Sequence, residues 1–107
     1  MQLTEIRHIR DQDLLSGLIR IHVLYHACKE PVFGLGMIEE LQRHGYKISA
    51  GTLYPMLHAL ESKGLLRSEK IGLGKRGRRV YRATRYGRKA LAKAREKVKL
   101  LLGELLE

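Results

Sequence analysis

The sequence has few of the residues that build disulfide frameworks and aromatic platforms. Its 107 residues include one cysteine, Cys28, no tryptophan, one phenylalanine and five tyrosines. A single thiol excludes an intrachain disulfide and cannot by itself form a thiolate metal cage. The helical pattern buries most of the few aromatics, which disfavours an RNA-binding module that works by base stacking.

Long apolar runs and catalytic patterns are also missing. The longest apolar runs, such as Leu100 to Leu102, fall far short of the roughly 20 residues of a membrane span, and the first residues contain no apolar segment of the signal-peptide kind. No nucleophile with a base, no carboxylate pair and no phosphate-binding loop can be assembled, since Gly72 to Gly77 lacks the required spacing. We therefore expect a cytoplasmic protein without a membrane partner, which is not an enzyme and needs no cofactor.

Acidic residues are scarce compared with basic ones. The chain has 11 Asp and Glu against 21 Lys and Arg, for a formal net charge of +10. Between Lys75 and Lys99 there are twelve basic residues and one acidic residue, Glu96. Such a cluster favours a polyanion partner, because neutralised phosphates release counterions, although a solvated charged surface would look similar.

Two apolar stripes run along a helix predicted from Asp13 to about Cys28. The first stripe contains Leu14, Leu18, Ile21, Tyr25 and Cys28, and the second contains Leu15, Ile19 and Val23. Both have helical spacing. Because two stripes on one short helix exceed what one small core demands, we expect the second stripe to face another subunit.

Two further helices are predicted before residue 63. One covers Gly34 to His44, with Leu35, Ile38 and Leu41 inward and Gly45 ending it. The next starts at Ser49, Gly51 or Thr52 and ends at Ser62. Its inward stripe is Leu53, Leu57 and Leu60, and Pro55 is expected in its first turn, where proline is tolerated.

A two-stranded hairpin and a long helix complete the pattern. Leu65 to Ile71 and Arg78 to Ala83 read as strands around a glycine-rich basic tip. Thr84 then caps a helix from about Arg85 to Leu106. Its apolar positions recur as in a coiled coil and predict a dimerisation seam. The seam consists of Leu91, Ala94, Val98, Leu101 and Leu105.

This order of elements predicts a mainly α winged helix-turn-helix with a small two-stranded β wing and a long C-terminal helix. Residues 1–84 would form the DNA-binding domain and 85–107 the dimerisation helix, together one structural unit. Two stretches resemble the PadR family of transcriptional regulators: 48–66, which is similar to the family's recognition-helix signature, and 79–87, which is similar to its wing strand. The resemblance implies a homodimer, usually a repressor, on inverted-repeat operators, with small-molecule effectors between the subunits in some members.

The candidate DNA-binding residues lie on the outer face of the third helix and on the wing. They are Ser49, Gly51, Thr52, Tyr54, His58, Lys63, Lys75, Arg76, Arg78 and Arg79. The helix residues can reach base edges or phosphates, and the wing cations suit phosphates or the minor groove. Packing between helices is the alternative for Tyr54. For the whole chain, the alternatives are a structured-RNA or ribosome-associated module and a protein-interaction adaptor.

Two histidines, His22 and His26, stand four residues apart on the first helix, with Cys28 near them. That spacing can hold a transition metal, but a third firm ligand is missing. Buried or interfacial histidines explain the pair more simply. The sequence therefore predicts no metal site.

Overall fold

The computed structural model describes residues 11–74 and 77–107. Within these residues the chain forms four helices and three short strands. In chain order they are α1 (Asp11–Lys29), β1 (Val32–Phe33), α2 (Gly34–Arg43), α3 (Ala50–Ser62), β2 (Leu66–Ile71), β3 (Arg78–Ala83) and α4 (Arg85–Leu105). The mainly helical fold and the hairpin between β2 and β3 confirm the prediction.

The core lies between α1, α2, α3 and the sheet. The inward stripe of α3 is confirmed, because Leu53 and Leu57 have no exposed area and Leu60 is 5% exposed. Leu41 of α2 and Tyr81 of β3 pack into the same cluster. Burial of side chains of this size stabilises the fold by about 1.5–3 kcal/mol each, so α3 is held firmly by its apolar face.

The assignment of the two stripes of α1 is wrong. Ile19 and Val23, predicted to face another subunit, are 2% and 0% exposed in the core of this chain, and Leu15 packs against that core. Leu14 and Leu18 of the other stripe are exposed. Both stripes have the same helical period, so the period alone could not tell which one the rest of the chain would cover.

Two details of α2 and α3 also differ from the prediction. Leu41 is buried and Ile38 is half-buried against the core, as predicted, but Leu35 is 65% exposed, and Gly34 and Met37 are buried in addition. Pro55 lies in the second turn of α3, because that helix begins at Ala50. Proline there removes the hydrogen bond to the carbonyl four residues earlier.

The sheet has a third strand that the sequence did not predict. It is antiparallel with the order β1-β3-β2. Val32 of β1 pairs with Tyr81 of β3, and Ser68 of β2 pairs with Tyr81 from the other side. A two-residue strand is too short to show alternation of apolar and polar residues.

The first turn of α4 is fixed to the rest of the fold. The N–H of Gly87 donates to Oγ1 of Thr84 over 2.9 Å, which confirms the predicted cap. Gly87 is buried, and a Cβ placed there would lie 2.1 Å from the carbonyl oxygen of Leu65. Arg88 donates from Nη1 to the carbonyl of Cys28 over 3.0 Å, which joins α4 to the end of α1. None of the helices in the described ranges is long and apolar enough to cross a membrane.

Candidate nucleic-acid interface

The outer face of α3 is polar and open to solvent. Ser49 precedes the helix with extended backbone, and its hydroxyl lies 3.4 Å from that of Thr52. His58 and Lys63 are exposed on the turns that follow. The leucine stripe on the opposite side fixes the helix, so this face presents hydroxyl, imidazole and ammonium groups to the surroundings. Such groups donate to base edges and phosphates.

Tyr54 combines packing with partial exposure. A Cβ built on Gly34 would come within 2.5 Å of the Tyr54 ring, so the ring lies directly on the backbone at the start of α2. The side chain is nevertheless 38% exposed. Tyr54 therefore joins α2 to α3 and still borders the surface beside the wing, so packing between helices accounts for part of its role.

A hydrogen-bond network holds the wing against α3. The Glu61 carboxylate near the end of α3 accepts from the backbone N–H of Ser68 over 2.7 Å and from its hydroxyl over 2.7 and 2.9 Å. Arg79 of β3 in turn donates to the Ser68 hydroxyl over 3.0 Å. Bonds to a charged acceptor are stronger than neutral ones. These bonds fix the angle between α3 and the wing. Contact of α3 with a DNA groove and, at the same time, of the wing with the DNA backbone would depend on that angle.

The cations of the wing point to both sides of the hairpin. Arg79 is on the side that faces α3, whereas Arg78 lies over the Phe33 ring at 5.7 Å on the other side. At the tip, Gly72 and Gly74 have positive φ angles of 94° and 62°, which glycine adopts without strain. Lys75 and Arg76, two of the predicted contacts, lie outside the described residues.

A second surface is apolar and lies on α1 and α4. We call it the apolar seam, and it consists of Leu14, Leu18, Tyr25, Leu101, Leu102 and Leu105, which are 39–76% exposed. The predicted seam residues Leu91, Ala94 and Val98 are half-buried nearer the start of α4. Exposed leucines in this number are unusual on a monomer surface and are typical of an interaction site.

A groove of about 600 Å³ runs between α1 and α4 beside the apolar seam. Its apolar lining includes Ile21, Leu91 and Val98, and its rim carries a cluster of polar residues from α1 and α2. The small-molecule effector expected between subunits stays a prediction. This groove would offer such an effector an apolar lining.

The polar cluster contains His22, His26, His44 and Glu40. The Glu40 carboxylate lies 3.3 Å from Nε2 of His44 and 3.7 Å from Nε2 of His26. The guanidinium of Arg43 beside it holds the pKa of Glu40 below its usual value. Burial, followed by the neighbouring His44 and His26, lowers the pKa of His22.

Comparison with known proteins identifies the family. The model of the transcriptional regulator PadR-like family matches residues 23–93, which cover α3, the wing and the first part of α4. This chain belongs to the PadR-like family of transcriptional regulators. It is 50% identical over 95 residues to the transcriptional regulator Rv3488 of Mycobacterium tuberculosis, a match that spans 89% of each chain.

Solved structures agree with this PadR-like fold. A PadR family transcriptional regulator from Eggerthella lenta is 37% identical, with a TM-score of 0.77 over 89% of this chain and 87% of the other. A PadR-like transcriptional regulator from Bacillus cereus shares the fold at 24% identity, with a TM-score of 0.74 over 88% and 96% of the two chains. The winged helix with a C-terminal helix is thus shown.

Several residues that shape the surface of this PadR-like regulator escaped the sequence analysis. Glu61 and Ser68 carry the link between α3 and the wing, and Phe33 supports Arg78. The seven-residue separation of Glu61 and Ser68 spans a helix end and a strand start, so no helical or strand period connects them. The signal in the sequence that could have pointed to this link was the carboxylate of Glu61, three residues before Gly64, which ends the helix.

Proposed function

We propose that this PadR-like regulator binds double-stranded DNA as a homodimer at inverted-repeat operators and acts as a repressor. The observation that carries the proposal is the polar face of α3 held at a fixed angle to a basic wing. In a winged helix-turn-helix, the corresponding helix enters the major groove and the wing contacts the backbone. The repressor role is supported by the family resemblance alone.

The electrostatics support a DNA partner. The described wing and the start of α4 carry exposed cations with few acidic neighbours: Arg78, Arg79, Arg82, Arg85, Arg88 and Lys89. Within the described hairpin one opposing ion pair occurs, between Arg82 and Glu69 at 3.7 Å. Cations that are free of carboxylate partners are available to neutralise phosphates, which drives association by counterion release.

The apolar seam supports the homodimer. Its leucines on α4 are exposed in this chain, and the same helix in a second subunit would cover them. Two-fold symmetry would then present two α3 helices to one side of the duplex, about 10 base pairs or a multiple apart. Leucines at helical spacing suit the packing of one helix against another.

Sequencing of the genomic DNA fragments that the purified protein retains at near-physiological salt tests the proposal. We expect enrichment of inverted repeats, protection of both half-sites, and a solution mass of two chains by light scattering. Expression from a reporter with such a repeat in its promoter should fall when the protein is present. Equal retention of random DNA, preferential retention of structured RNA, or a monomeric mass would contradict the proposal.

A further inference from the structure

We propose that His22, His26 and His44 form a binding site for one divalent transition-metal ion of the Zn²⁺, Co²⁺ and Ni²⁺ class. The sequence predicted no metal site, because a third firm ligand beside His22 and His26 was missing. The fold brings the third, His44, from the end of α2. This site goes beyond DNA binding and does not depend on it.

The geometry of the three side chains carries the proposal. Their ligand nitrogens all lie within 4.8 Å of one another. The His22 and His44 rings are 5.0 Å apart, centre to centre, and tilted by 36°. Zinc–nitrogen bonds of about 2.0–2.1 Å place tetrahedral ligand nitrogens about 3.4 Å apart. Rotations of exposed or half-buried imidazoles close the remaining distance without a shift of the backbone.

The backbone supports these positions independently of the side-chain angles. His22 and His26 are one turn apart on α1, so both project from the same face of the helix. His44 follows Arg43, and its N–H bonds to the carbonyls of Glu40 and Leu41, which ends α2 at a fixed point. The site would therefore join α1 to the turn that leads into α3.

The Glu40 carboxylate lies beside two of the three imidazoles. Its carboxylate lies within 3.7 Å of Nε2 in both His26 and His44 and is 27% exposed. Carboxylates beside ligating histidines orient the rings and raise their basicity in many metal sites. The Tyr46 ring packs edge-on against that of His22, with ring centres 5.3 Å apart.

The surroundings also restrict which cation can bind. Arg43 pairs with Glu40, and Lys29, Arg95 and Lys99 line the adjoining groove. These positive charges would repel a cation that is attracted by charge alone and forms no bonds to the imidazole nitrogens. Neutral imidazoles bind Zn²⁺, Co²⁺, Ni²⁺ and Cu²⁺ well, whereas Mg²⁺ and Ca²⁺ require several oxygen ligands. The site should therefore bind Zn²⁺, Co²⁺, Ni²⁺ and Cu²⁺, and it should not bind Mg²⁺ or Ca²⁺.

Titration of the full chain, free of any affinity tag, with Zn²⁺ and separately with Co²⁺ tests the site. We expect one ion per chain by calorimetry and, for Co²⁺, the visible absorption of a nitrogen-ligated ion. Saturating Zn²⁺ should raise the melting temperature by on the order of 10 °C, because a ligand that binds only the folded state stabilises it. Mg²⁺ at the same concentration should leave it unchanged.

Variants assign the ligands. His26→Gln and His44→Gln should each weaken Zn²⁺ binding by at least about tenfold and alter the Co²⁺ spectrum. Both positions are at least partly exposed, so the variants should fold, which their melting temperature without metal verifies. His58→Gln is the matched control for metal binding only: it removes an exposed histidine of α3 that is not in the cluster.

Three results would overturn the site. The first is the absence of saturable Zn²⁺ binding. The second is an affinity that His44→Gln leaves unchanged, which would reduce the site to the pair on α1. The third is an equal loss in His58→Gln, which would place the ion elsewhere on the chain.

Discussion

The two ends of α4 differ in sequence and in surroundings: the start is basic and the far end is rich in leucine. At the start, Gly87 is buried against the Leu65 carbonyl and Thr84 caps the helix. At the far end, Leu101 and Leu105 are 52% and 70% exposed. Among the described residues, the packing of the first end is complete and the leucines of the second end are exposed. One continuous helix thus carries a packed domain joint and an apolar surface, which we propose as the dimer contact.

The buried start of α4 should tolerate no added volume. Gly87→Ala forces a Cβ onto the backbone carbonyl of Leu65, which cannot move aside as a side-chain tip could. We expect the free energy of unfolding to fall by about 3 kcal/mol or more, as measured by urea denaturation.

The matched control lies on the same helix. Gly103→Ala meets open space and exchanges glycine for the best helix former, so stability should rise by up to about 1 kcal/mol. If both variants behaved alike, the two ends of α4 would not differ as described. A loss of dimer mass in Gly103→Ala alone would place that glycine at a close helix contact.

The exposed end should control assembly and, through it, DNA affinity. Leu101→Glu with Leu105→Glu places charges where a second subunit is proposed to pack, so the dimer should dissociate while the winged domain stays folded. Operator affinity should fall about a hundredfold or more, because binding by two linked domains multiplies the affinity of each. Light scattering and operator binding on the same samples measure both effects.

The control pair for this prediction adds the same charge to the other side of the helix. Ala92→Glu with Gly103→Glu changes exposed positions on the side of α4 opposite Leu101 and Leu105, and this double variant should keep its dimer mass. A monomeric Leu101→Glu, Leu105→Glu protein that bound the full operator like the parent would break the link between assembly and function.

Some features of the fold and of the candidate sites could be predicted from the sequence, and others could not. The α3 stripe was predictable, because Leu53, Leu57 and Leu60 offer one apolar face for one core. On α1 the period could not distinguish the buried stripe from the exposed one, and the outcome depended on how α4, α2 and β3 pack against α1. The histidine cluster and the Glu61 to Ser68 link join separate elements, so only the folded chain brings them together.

Changes on the winged domain should act on DNA without changing the mass. His58→Ala and, separately, Tyr54→Phe remove polar groups from the outer side of α3 and leave its leucines intact. A lost base contact costs about 1–3 kcal/mol, so at least one variant should lose about tenfold in operator affinity relative to random DNA. Equal losses of affinity for both DNAs, with unchanged stability, would mean that these residues contact the DNA backbone and do not contact the bases.

The smallest expected effect belongs to a single cation of the wing. Arg78 lies over the Phe33 ring, which keeps the guanidinium in place on the exposed side of the hairpin. If Arg78 contacts a phosphate, Arg78→Ala should weaken binding to operator and to random DNA nearly equally, and the slope of log affinity against log salt should shrink by about one.

Lys93→Ala removes the same charge from the exposed surface of α4 and should leave the slope unchanged. A slope that changed equally in both variants would show that the overall charge of the protein matters and that the wing makes no particular contact. An altered base preference in Arg78→Ala would instead assign the wing to base reading in the minor groove.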